Sequence, residues 1–329
     1  MTTIQACSYI ERIVNNLNDS YGSFEIQFMG GEPLLSFDVV REVSEWLWAQ
    51  SFKVRLTQIF AVTNGTLLND EMKTWFTVNK DKICLGLSFD GDRMMQDINR
   101  CGSASLIDFS YFVSTWPKQT IKVTISPQTL SRLYDGITSL HYFGARKITA
   151  DLAMGKNIGW NERHLQILHD QLLLLCHYYL SHPDQYPVSL LNLDINSVKS
   201  IPHDKPCGCG EDLVCIDIDG KEYACHLFAP ITLGEKKATV AKSILDFSQH
   251  AAFVDDICYG CLLQATCTNC PGMNYIATGC VNKQDSFTCM ANKVIFLANC
   301  EFAIMRCEEL KDCEKISYIE NIVKQIINS

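Results

Sequence analysis

The sequence predicts an α/β protein built on a parallel sheet, followed by a small cysteine-rich region. Between residues 24 and 151, short β-branched and aromatic runs alternate with helix-period segments, the trace that βα units leave. The 17 cysteines crowd into the second half, eight from Cys207 to Cys270 and five more from Cys280 to Cys313. From about Pro202 onward Gly, Pro and turn residues replace the periodicity.

Five runs are expected as strands: Phe24–Phe28, Thr57–Val62, Ile83–Phe89, Ile121–Ile125 and Lys147–Asp151. Helices are expected between them. Residues 3–19 form one, and Ser36 caps a second that runs to Gln50. Others span Asn69–Asn79 and Thr129–Phe143. A longer one, Asn161–Ser181, places Leu165, Leu168, Leu172 and Leu175 on one face. In the second half, Val214–Phe228 reads as a hairpin turning at Asp219-Gly220. A helix follows from about Asn292 to Leu310, and an amphipathic stretch begins at Ser317. The domain boundary is placed near residue 200, giving 1–200 and 201–329.

A net charge of −9 with no Lys/Arg run argues against nucleic-acid binding. The N-terminus lacks the basic flank and apolar core of a signal peptide, and no uninterrupted apolar run is long enough for a membrane span. The expectation is a cytoplasmic protein. In such a chain clustered cysteines are more often metal ligands or catalytic groups than disulfides, and an odd count cannot be fully paired.

Three strand ends carry polar, glycine-bearing segments: Gly30-Gly31-Glu32-Pro33, Thr63-Asn64-Gly65-Thr66 and Ser88-Phe89-Asp90-Gly91. Strand ends are where βα folds build binding sites, and paired glycines let a backbone approach a ligand closely. In this order and spacing the three segments resemble the core of radical S-adenosylmethionine (SAM) enzymes. The resemblance implies a partial (β/α)6 barrel lacking its first strand. It assigns SAM binding to Gly30, Gly31, Glu32, Pro33, Asn64 and Ser88. Arg100 is a further candidate, with a surface salt bridge as the alternative.

The second half resembles the SPASM domain of that family. Cys209 precedes Gly220, Cys225 lies five beyond that glycine, and Cys258-x2-Cys261-x5-Cys267 follows, with Cys270 and Cys289 closing the set. Cys270 comes after two residues where the family has three. By resemblance Cys209, Cys215, Cys225 and Cys270 hold one auxiliary [4Fe–4S] cluster, and Cys258, Cys261, Cys267 and Cys289 a second. The bland alternative is a structural zinc site, against which the short spacing between the pairs argues. Cys84, Cys101, Cys176, Cys300 and Cys307 read as ordinary small residues, and His164, His169 and His177 as solvated or packed. Cys207, Cys280 and Cys313 have no assignment.

The family's C-x3-C-x2-C run, which holds the SAM-cleaving cluster, does not occur in residues 1–329. By this comparison the chain is an N-terminally shortened enzyme, the alternative being a scaffold or peptide-binding protein without SAM cleavage. The resemblance points to maturation of a ribosomally made precursor peptide, with flavodoxin or ferredoxin as electron donor. His226 occupies the position where sulfatase-maturing members carry a catalytic Asp. It is a candidate general base, or a group beside a cluster.

Overall fold

The computed structural model describes residues 1–17, 22–199 and 207–327. The boundary drawn near residue 200 and Pro202 lies outside the described residues, as do positions 18 and 19 of the first expected helix.

Helix α1 (Thr3–Asn15) opens on a capping box in which the Thr2 and Gln5 side chains and backbones satisfy each other. Its stripe of Ala6, Ile10 and Val14 is buried. Then come β1 (Ser23–Phe28), α2 (Phe37–Ala49), β2 (Arg55–Thr63), α3 (Asp70–Val78), β3 (Ile83–Leu87), α4 (Arg93–Asn99) and α5 (Phe109–Thr115). The half continues with β4 (Thr120–Ile125), α6 (Leu133–Tyr142), β5 (Lys147–Leu152) and α7 (Arg163–Ser181). All five expected strands are present and all pair in parallel, in the orders β1-β2-β3 and β4-β5. A bridge between Ser88 and Lys122 joins the two groups. Among the described residues β1 pairs with β2 alone.

Period-two alternation sorts the sheet into two faces. Ile59, Ala61, Ile83, Leu85, Leu87, Ile121, Val123, Ile125, Ile148 and Ala150 are buried in one core with Val43 and Leu47 of α2, Phe76 of α3, Ile137 of α6 and Leu168 and Leu172 of α7. Each Val, Leu, Ile or Phe among them contributes about 1.5–3 kcal/mol. The other face carries the alternate residues, among them Gln58 and Lys122, which are exposed.

The expected helices are found with small shifts. Ser36 stands at the N-cap of α2 but makes no side-chain cap. A 3-10 turn at Pro33–Ser36 precedes the helix, and Glu32 caps that turn instead. Helices α4 and α5 went unseen because seven-residue segments hold too little periodicity.

The second half is more helical than its composition suggests. After the hairpin strands β6 (Cys215–Ile216) and β7 (Glu222–Tyr223) come α8 (Pro230–Leu233), α9 (Glu235–Ile244), α10 (Pro271–Thr278), α11 (Ser286–Leu310) and α12 (Cys313–Ile327). Helix α11 starts earlier than expected, with Asp285 accepting from the Thr288 amide, so Cys289 lies in its first turn. By length and composition α11 could cross a membrane. It serves as a core helix: Ala291, Ile295, Ala298 and Phe302 join the sheet core, and Phe296, Cys300 and Cys307 pack with α12. Buried Asn299 bonds the Leu190 and Ile295 carbonyls and the Leu193 amide, at 2.7, 2.8 and 2.9 Å.

The hairpin tip docks on α1. Gly220 has φ +79, and a Cβ there would lie 2.5 Å from the Tyr9 ring, so only glycine fits. Arg12 pairs with Glu222 beside it at 2.8 Å.

Candidate functional site

Parallel pairing puts the ends of β1, β2 and β3 on one edge, and Glu32 ties the first two together. Its Oε1 accepts from Thr63 Oγ1 at 2.7 Å and from the Leu34 amide at 3.1 Å. Its Oε2 accepts from the Asn64 amide at 2.8 Å. Three bonds leave a carboxylate with acceptor capacity to spare. Pro33 is buried in the turn that follows. A Cβ on Gly30 or Gly31 would meet no atom within 4 Å, and neither residue has positive φ. Local packing and backbone conformation therefore do not require glycine at either position. The Asn64 Oδ1 accepts from the Thr66 amide and hydroxyl, shaping its own turn.

Asp90 was passed over in the sequence and is the hub of the third strand end. It is 1% exposed. It accepts from Arg100 Nε and Nη2 at 2.8 and 3.0 Å, from Asn99 Nδ2 at 3.3 Å and from the Thr124 amide at 2.7 Å. Arg100 is therefore spent on a buried, two-pronged ion pair that locks α4 to β4. Gly91 permits this packing: its φ is +85, and a Cβ would stand 2.6 Å from Met95 Sδ. The signal for Asp90 was available, since a carboxylate between two strand ends with an Arg ten residues on can pair.

Ser88 sits beside Lys122 on the face away from the helices, because the two form a parallel bridge. On β5, Asp151 is one step further along that face, paired with Thr124. The cysteine-rich half reaches the same place. His226 lies within electrostatic reach of Lys122, which together with burial, the larger effect, holds its proton affinity below the ordinary histidine value. Burial raises the Asp151 carboxyl, with Lys122 opposing.

The predicted thiols gather in two neighbourhoods. Cys258, Cys261, Cys267 and Cys289 interact with one another. Burial pushes Cys267 up to about 11, and Cys289 adds to it. The Asn292 amide donates to the Cys267 sulfur at 3.4 Å. In the other neighbourhood Cys209 bonds Cys225, and Cys225 lies within reach of Cys215 and Cys270. The Cys225 thiol is held below its ordinary value, by Cys209 first and then, against burial, by the Leu227 and Phe228 amides. Cys207, left unassigned by sequence, hydrogen-bonds Cys209 and reaches Cys270. It too precedes Gly220 at a suitable distance, which was the missed signal. Among the described residues no three such side chains stand close enough to hold a metal ion as placed. His169 bonds Glu301 of α11 at 3.0 Å, and Cys176, Cys300 and Cys307 are buried in the cores.

No family model matches the chain. An uncharacterised protein of Methanocaldococcus jannaschii is 26% identical over 209 residues, covering 61% of this chain and 68% of that one. The structure superposes on native anSMEcpe with bound AdoMet and Cp18Cys peptide, with a TM-score of 0.67, 18% identity, and coverage of 96% of this chain and 90% of that one. The fold is radical SAM-like. Streptococcus suis SuiB shares this radical SAM-like fold at a TM-score of 0.52 and 14% identity, covering 87% of this chain and 70% of that one.

Proposed function

We propose that this chain is a radical SAM/SPASM protein that modifies a peptide. The observation that carries the reading is the rim itself. Two glycines with open space before them and a carboxylate with unused lone pairs lie at adjoining strand ends, in a fold shared over 96% of the chain with a protein that binds AdoMet and a peptide. Glu32 would accept the SAM ammonium, Gly30 and Gly31 would admit the ligand against the backbone, and Asn64 and Ser88 would flank it. Bound SAM supplies radical chemistry once it is cleaved reductively. His226 would accept a proton from substrate. An imidazole there, where sulfatase-maturing proteins have Asp, favours a peptide crosslink or oxidation over formylglycine formation.

The thiol sets fit iron–sulfur ligation in donor chemistry: two neighbourhoods, each with four assigned thiols. Cys209, Cys215, Cys225 and Cys270 would hold one auxiliary [4Fe–4S] cluster, and Cys258, Cys261, Cys267 and Cys289 the other. They would serve electron transfer, from a flavodoxin or ferredoxin, or substrate engagement. Residues 1–329 contain no C-x3-C-x2-C run. By themselves they are expected to give no 5′-deoxyadenosine from SAM and dithionite. A further parallel strand carrying such a run would add beside β1, on the edge that has no partner among the described residues.

Anaerobic reconstitution should yield a brown protein with about eight irons and eight sulfides, two cubanes per chain. A colourless protein with stoichiometric zinc would overturn the assignment. Co-expression with a precursor peptide encoded beside the gene should remove two hydrogens per crosslink, read by mass spectrometry.

A further inference from the structure

A second surface lies on the helix side of the sheet, away from the strand-end rim. Ser88 stands on the open side, and Phe89, one residue on, packs against the helix-side core. A cavity of about 360 Å³ opens there between α4, α5 and α6, lined by Phe89, Ile107, Phe109, Leu140 and Phe143. The charged groups around it are already matched: Asp92 pairs with Arg132, Asp108 with Lys73 and Arg93 with Asp97. Phe143 is nevertheless 61% exposed, and Leu106 and Tyr142, next to lining residues in the chain, are exposed as well. An apolar hollow with an apolar lip is a binding feature that folding alone does not require.

A second cavity, of about 450 Å³, adjoins the first: Phe143 lines one and Gly144, the next residue, lines the other. Its character is opposite. Arg146 and Lys147 line it where the chain enters β5, both exposed and neither paired with an acidic group among the described residues. Lys147 lies over the Tyr186 ring at 5.7 Å, which leaves its charge in place. Asp184 also lines this cavity, while His141 is buried and held towards its neutral form, so the balance is positive. In a chain of net charge −9, such a spot selects for acidic groups. None of the rim residues assigned to SAM and none of the assigned thiols lines either cavity.

We propose that this surface binds an acidic peptide segment with an apolar anchor, a part of the substrate peptide away from the residue being modified. The apolar side chain fills the hollow beside Phe143, and carboxylates nearby in the peptide meet Arg146 and Lys147. An extended peptide fits because it brings apolar and acidic side chains together at about 3.3 Å per residue. An acidic electron carrier fits less well, since no assigned thiol lies at this face to receive an electron and a hollow admits a side chain. That the peptide is a substrate rests on the peptide-modifying reading above; the binding itself does not.

The test is fluorescence anisotropy of the 329-residue protein with a short labelled peptide that carries leucine and phenylalanine between runs of glutamate. Two control peptides replace the glutamates by lysine or the apolar pair by serine. The glutamate peptide should bind tightest, and added salt should weaken it. Reversing both cations, Arg146→Glu with Lys147→Glu, should weaken it about tenfold or more, because like charges then face one another. Phe143→Ser should weaken it about threefold or more through lost apolar contact. All three side chains are exposed, so melting curves should hold; if a variant unfolds, the serine peptide on the wild-type protein still decides the apolar half. The proposal is overturned if the lysine peptide binds as well as the glutamate one, if neither variant changes binding, or if no peptide binds. It is also overturned if inorganic phosphate displaces the glutamate and serine peptides alike, which marks a plain anion site, or if flavodoxin binds this face and the peptides do not. Binding is read here without turnover. An unmodified precursor with this binding intact therefore sinks the maturase reading alone, and a modified precursor without it sinks this surface alone.

Discussion

At the rim of the sheet, polar groups satisfy one another. Glu32 takes three donors, and Asp90 takes four hydrogen bonds from Arg100, Asn99 and Thr124. In the cysteine-rich half the corresponding groups are thiols, most of them held above the ordinary thiol value chiefly by burial, while Cys209 lowers Cys225. Burial raises Cys215 and Cys267 to about 11, and Cys270 and Cys289 also lie above the ordinary thiol value. Its apolar support is divided: six buried residues form one small cluster and three another, against the long continuous core under the sheet. One half is organised by its own polar network. On the iron–sulfur reading proposed above, the other half would draw its order from metal, because thiolates held together need a cation between them.

The largest effect expected from this contrast is on metal removal. Chelating the reconstituted protein should release protection from hydrogen exchange across residues 207–285 while β1–β5 keep theirs. Equal loss in both halves would break the distinction. Next is Asp90→Ala, which leaves Arg100 without its buried partner; this should destabilise the sheet half by about 3–5 kcal/mol in denaturant unfolding. His141 gives a pH signature in the same half. It is 5% exposed. Its ring contacts the Ala145 carbonyl at 2.9 Å and the Tyr179 hydroxyl at 3.0 Å, and burial lowers its proton affinity. A histidine neutral in the fold must charge on unfolding, so stability should be full above about pH 6.5 and fall below it. His141→Gln should flatten that slope. The smallest stability effect belongs to Gly30→Ala, expected within about 0.5 kcal/mol of wild type because the added methyl meets nothing. The same variant should nevertheless weaken SAM binding. A large loss of stability would show that the glycine serves the fold instead.

The legibility of the chain follows the same divide. The five strands could be read because each is a run of five or more residues rich in β-branched and aromatic side chains, set between helix-period segments. Helices α2, α3 and α7 announced themselves by apolar spacing and, for α3, by the Asn69 cap. Helices α8 to α10 did not. They are short, and α9 has a polar exposed face with only Ala238 and Ala241 buried. At the candidate site Glu32 was legible as an acceptor, but its bonds to Thr63 and Asn64 cross 31 and 32 positions of sequence.

The sequence by itself determined the parallel α/β order, the three glycine-bearing strand ends and the thiol groups, since these depend on residue type and local spacing. Only the tertiary structure decided which charges meet. It closed Arg100 on Asp90, set Lys122 beside Ser88, brought Cys207 to Cys209, and put His226 within electrostatic reach of Lys122. The physical reason is that an ion pair or a site depends on distance in space. Strand register and helix docking, fixed by burial of the whole core, set those distances.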